Sequence, residues 1–227
     1  MVAAAPHLQF FYAQMLPSVV FGAAPSHAAP PGRRAAASGP ARRRGRRGAR
    51  VPVALPEVLP AIESLYRDQL QPYGRLLRKR LAEHSVEAGG EGREVDDREL
   101  RALCASCPWL HVENAEGVEW TVTVPGRAQD FVDLHSPEDL YPPELWAAAS
   151  AYLSALEGED MVLPGGRYMC ARMLAARELS FLSGYSLGQV AHIVQLAISH
   201  KKLLGYSDGT LVPYARSQSM LKEQHAE

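Results

Sequence analysis

Apolar residues recur at helical spacing in two stretches of the chain, and each stretch runs into a short alternating segment broken by a turn. In the first, Val58, Ile62, Leu65, Tyr66 and Leu70 mark one helical face, which Leu76, Leu77 and Leu81 resume after Pro72-Tyr73-Gly74. Leu100, Leu103, Cys104 and Cys107 form a further face. Asp96 with Glu99 three positions on is a helix-start signal, and Pro108 closes that helix. Residues 109–113 and 118–124 then alternate apolar with polar around a turn at 114–117, which predicts a β-hairpin. The second stretch predicts a helix from Glu144 to Leu156, a helix from Gly166-Arg167 to Arg177 and a short strand at Phe181-Leu182. Ser186 with Gln189 has the capping-box form, and Leu187, Val190, Val194, Ala197 and Ile198 give the helix that follows its apolar face. Gly205 is placed to end that helix, and Asp208-Gly209 is the dipeptide a two-residue hairpin turn prefers.

Helices followed by a capped helix and a hairpin are the order of a winged helix, here written twice. The pattern therefore predicts a mainly α fold with small β-hairpins, built of two winged-helix-like modules at 53–127 and 144–216. A Pro-rich connector at 128–143 carries Phe131, Val132, Leu134 and Leu140 and is expected to pack on the body. Residues 217–227 read as a polar, fraying helical tail. Residues 1–52, rich in Ala, Pro, Gly and Arg without periodicity, lack the apolar surface to offset ordering entropy and are expected to be disordered.

Charge changes this picture because it is unevenly placed. The net charge of −1 hides eight arginines and no acidic residue within 1–50, leaving 16 of the 24 basic residues against all 25 acidic ones in 51–227, a net −9. Arg42, Arg43, Arg44, Arg46 and Arg47 form the densest part of this basic arm. Such an arm suits backbone contact with RNA, a nuclear localisation signal or an organellar transit segment. Three cysteines without a disulfide framework indicate a reducing compartment, so cytoplasm or nucleus is expected, with organellar import as the alternative. No apolar run is long enough for a membrane span.

Candidate contact residues fall in two clusters. Arg75, Arg78, Lys79 and Arg80 crowd one helix of the first module. Gln189, His192, Gln195, Lys201 and Lys202 lie opposite the apolar face of the capped helix or just beyond it, where Gln and Lys can meet base edges or phosphates. Arg167 follows Pro164-Gly165-Gly166 at a helix start and is a further phosphate candidate. Cys104-x-x-Cys107 with His111 lacks the fourth ligand of a structural zinc site and reads as buried thiols, so neither metal nor cofactor is expected. The eight histidines lie in no hydrolase or metalloprotease motif, and no enzyme activity is expected.

Leu100, Leu103, Cys104, Pro108, Leu110, Val112, Trp120, Val122 and Val124, within LYRDQLQPYGRLLRKRL and the run to VTV, resemble the OST-type helix-turn-helix, or LOTUS, domain over about 57–124. The 145–214 half is similar to a generic winged helix. The resemblance implies RNA-associated work, since LOTUS domains bind RNA, including G-rich RNA, and some extended forms dock a DEAD-box RNA helicase. This chain departs from the pattern in its Glu/Gly insertion at 87–94 and in an acidic wing with Glu113, Glu116 and Glu119, which suits a protein partner. Three functions are thus expected in order: a non-catalytic binder of single-stranded or structured RNA, an adaptor docking a helicase or another RNP component, and a winged-helix DNA-binding regulator.

Overall fold

The first helix, α1 (Leu55–Arg67), packs Val58, Ala61, Ile62, Leu65 and Tyr66 inward at the spacing the pattern predicts. The computed structural model describes residues 53–90, 94–114 and 119–224, which fall within one compact unit spanning 48–227. The basic arm, including Arg42, Arg43, Arg44, Arg46 and Arg47, lies outside the described residues.

Gln69, with a positive φ of 55°, turns the chain out of α1, and α2 (Gly74–Glu87) follows. In α3 (Asp97–Ala105) the Asp96 carboxylate accepts from the backbone N–H of Arg98 and Glu99, so the sequence cap operates. The hairpin β1 (His111–Asn114) and β2 (Trp120–Thr123) pairs Val112 with Val122, and Tyr73 adds an isolated bridge to Thr121. These elements enclose a core of Val58, Ile62, Leu65, Leu77, Leu100 and Val122.

The plan then repeats. After α4 (Pro143–Ser154), Leu163 bridges to Leu211 just before α5 (Arg167–Ala176), as Tyr73 bridges to Thr121 just before α2. Next come α6 (Leu187–Ser199), β3 (Leu204–Ser207) and β4 (Thr210–Pro213). Each module is therefore helix, bridging residue, helix, helix and hairpin, the winged-helix order. The second core gathers Leu153, Leu163, Leu174, Val194, Leu196 and Leu211.

The hairpin turn forms as predicted. Ser207 pairs with Thr210 across Asp208-Gly209, whose φ values of 49° and 80° are the left-handed pair a type I′ turn requires. The Ser186–Gln189 capping box forms in both directions, with N···O distances of 2.9 and 3.2 Å.

Three local expectations are corrected. Phe181-Leu182 is a 3-10 turn, Ser180–Leu182, and the third strand position of the second wing belongs to Leu163, which exchanges both backbone hydrogen bonds with Leu211. Gly205 does not end α6, which stops at Ser199; it lies in β3, where a Cβ would meet the Ser217 hydroxyl at 2.4 Å. Residues 218–224 are helical (α7, Gln218–Gln224) but docked: Gln218 reaches Asp208 and Glu223 pairs with Lys202 at 2.8 Å.

The two cores meet through the connector and a buried polar cluster. Phe131 of the connector stacks edge-on against Tyr66, and Val132 N–H donates to the Gln69 carbonyl at 2.9 Å. Leu134 packs against both cores, whereas Leu140 is exposed. Gly188, at the start of α6, donates its N–H to the Asp68 carbonyl at 2.8 Å, and a Cβ there would lie 2.7 Å from the Gln69 oxygen.

Candidate nucleic-acid interface

Arg75 and Lys79 are four residues apart on α2 and therefore share one helical face. Arg167 opens α5, some ninety positions later, yet lines the same cleft. The cleft encloses about 870 Å³, and the connector supplies its far wall through Phe131 to His135. Tyr73, Leu76 and Tyr168 complete its sides, so three cations face two carboxylates, Glu119 and Asp133.

Each cation is held differently. Arg75 is anchored by its own backbone N–H to Glu119 at 3.1 Å, while its guanidinium lies 3.6 Å from the same carboxylate and stays mostly in solvent. The Lys79 amine sits 5.8 Å over the Tyr168 ring. The cleft walls and then Arg75 push its pKa below the usual lysine value, against the pull of Glu83. Arg167 donates through Nε to the Gln195 side-chain oxygen. Among the described residues no carboxylate pairs with Arg167. Burial, then Glu119 and Asp133, raises the Tyr73 phenol, which stays a hydrogen-bond donor at neutral pH.

The other sequence candidates are redirected. Arg80 does not face solvent: it is 3 % exposed, donates to Ser64 and Tyr168, and pairs with Asp68 at 2.5 Å and Glu83 at 3.3 Å. Tyr168 in turn donates to Glu83 at 2.7 Å, and Arg172 approaches the same carboxylate at 3.2 Å, so residues of α2 and α5 share one buried network. Arg78 turns away from the cleft to pair with Asp97 at 3.3 Å. His192 is 3 % exposed rather than on a reading face: its ring nitrogens meet the Tyr141 hydroxyl at 3.0 Å and the Ser136 carbonyl at 2.9 Å. Gln189 serves the cap and Gln195 serves Arg167. Lys201 pairs with Asp139 at 2.6 Å over the Trp146 ring, and Lys202 pairs with Glu223. The capped helix is thus a covered core helix, because the connector lies over the side the pattern leaves polar.

Sequence reasoning missed Tyr73, His135 and Tyr168. Tyr73 carried a local signal, standing two residues before Arg75; the other two enter through packing alone. The thiols behave as core residues: burial pushes Cys104 up to about 11 and Cys170 up to about 12. His111 is exposed and bonded to Glu113, and among the described residues no group of three His, Cys, Asp or Glu is arranged to hold a metal ion. No described helix is long and apolar enough to cross a membrane.

Fold and cleft together define a tandem winged-helix body with a cationic groove between its modules. Residues 157–226 match the model of the OST-HTH associated (OHA) domain family. The match covers α5 through α7, most of the 145–214 stretch whose sequence pattern carries only a generic winged-helix likeness, without α4. It also takes in the docked terminal helix. No curated protein and no solved structure matches the chain.

Proposed function

We propose that the protein is a non-catalytic RNA-binding protein whose body takes a short single-stranded segment in the Arg75–Lys79–Arg167 cleft. The observation that carries this reading is the convergence of three cations from two modules on one open groove beside an aromatic donor. A groove of this size accepts a small ligand or a few units of a strand, not a duplex. Phosphates answer the mutual repulsion of Arg75 and Lys79, and Tyr73 offers a stacking face and a hydroxyl to an unpaired base. The arm arginines add attraction of little sequence preference. A duplex-reading regulator fits less well, since α6 is covered and the body carries net −9.

The test is titration of the full chain with labelled single-stranded RNA at several salt concentrations. The Arg75→Ala/Lys79→Ala/Arg167→Ala variant should bind at least about tenfold more weakly, with a log–log salt slope shallower by about 1.4, two single-strand phosphates' worth. Binding equal to that of the unaltered chain would sink the reading. A second reading, an adaptor for a helicase or another RNP component, rests on Trp109, 65 % exposed at the root of the acidic hairpin. It gains if the triple variant binds RNA unchanged.

A further inference from the structure

We infer that Arg167 and Lys79 form the seat for one phosphate group of the bound strand, and that Gln195 is the residue that positions it. The inference rests on the RNA reading above and assigns a part of the ligand to a part of the cleft. The three cations are not equivalent. Arg75 shares its charge with Glu119, so it contributes attraction at the rim. Arg167 has no carboxylate partner among the described residues, and its Nε alone is engaged, by Gln195.

A guanidinium tied at Nε keeps its two terminal nitrogens side by side, the fork that meets two oxygens of one phosphate. Gln195 is suited to the task because it is neutral. An amide oxygen accepts from Nε without cancelling the charge, whereas a carboxylate would hold the guanidinium for itself. It projects from α6, a helix that buries eight of its thirteen residues. Lys79 supplies the second charge at the Tyr168 wall of the same cleft. Its lowered pKa follows from a crowded, partly desolvated position beside Arg75, which an anion relieves. The shared chemistry is a phosphate oxygen pair, from a terminal monoester or an internal diester.

A double-mutant cycle in the full chain tests this. Gln195→Leu and Arg167→Ala should each weaken binding of a single-stranded RNA by about tenfold, as expected for losing a hydrogen bond to a charged group. The salt slope should fall by about 0.7, one phosphate, in each. The double variant should bind no more weakly than Arg167→Ala alone, because Gln195 acts through Arg167. Additive losses would overturn the inference. Should Gln195→Leu fail to fold, Gln195→Glu keeps an acceptor but neutralises Arg167, and undiminished binding by it would equally overturn the seat.

Strands of one sequence with a 5′-phosphate or a 5′-hydroxyl separate the two sources. A phosphate preference abolished by Arg167→Ala supports a seat for the monoester, and equal binding with the same cycle supports a seat for the diester. Loss of binding in the Arg75/Lys79/Arg167 triple variant, with Gln195→Leu unaffected, overturns this inference alone. An unaffected triple variant overturns the RNA reading itself.

Discussion

The third helix of each module starts on a side-chain cap and leads to a hairpin, yet α3 and α6 do different work. The nine-residue α3 buries only Leu100 and Cys104, and most of its surface is open. The thirteen-residue α6 buries eight residues, His192 among them. The difference comes from what lies on top. Ser136 and Tyr141 of the connector cover one side of α6, and the end of α1 covers its start. A polar residue on a helix covered in this way becomes a strut: His192 ties the connector down and Gln195 holds Arg167. The third helix of a winged helix is thus not always its open face. Here the groove between modules offers the freer cations.

The largest effect should come from cutting the polar network that joins the modules. Arg80→Met takes the guanidinium away from half-buried Asp68 and leaves Glu83 held by Arg172 and Tyr168 alone, and should cost about 3 kcal/mol. Denaturant unfolding followed by far-UV and tryptophan signals should show one transition at a lower midpoint. Two separated transitions would show instead that each module holds itself together.

A smaller effect is expected where α6 meets α1. Gly188→Ala places a methyl group against the backbone oxygens of Asp68 and Gln69 and should cost about 1–3 kcal/mol through overpacking. Amide exchange should quicken at 68–70 and at the start of α6, while α3 keeps its protection. An undisturbed α6 would mean that the contact does not cover it.

The caps give the finest comparison. Ser186→Ala and Asp96→Ala should each lower stability by about 1 kcal/mol. Only the Asp96→Ala loss should shrink in high salt, since Asp96 adds a negative charge at the positive end of its helix and Ser186 does not. Equal salt dependence would show that the two caps work alike.

Much of this architecture is legible in the chain because its signals are local. The Ser186–Gln189 box, the Asp96 cap and the Asp208-Gly209 turn each need only a few neighbouring residues, and each forms where the pattern puts it. The apolar faces of α1 and α6 follow from spacing alone, so the twice-written order of helices and hairpin is also legible. The third wing strand was not, because Leu163 is defined by its partner Leu211, nearly fifty residues away, and not by any local run.

The cleft belongs to tertiary structure for the same reason. Arg75, Arg78, Lys79 and Arg80 are one cluster in the sequence, but the turn of α2 sends Lys79 to the groove, Arg78 to Asp97 and Arg80 into the core. By itself the sequence determined the elements, their order and the separation of a basic arm from an acidic body. Only the fold decided which charges pair with one another and which stay open in the groove. Periodicity reports the face a residue occupies on its own helix, and it carries no information about what packs over that face.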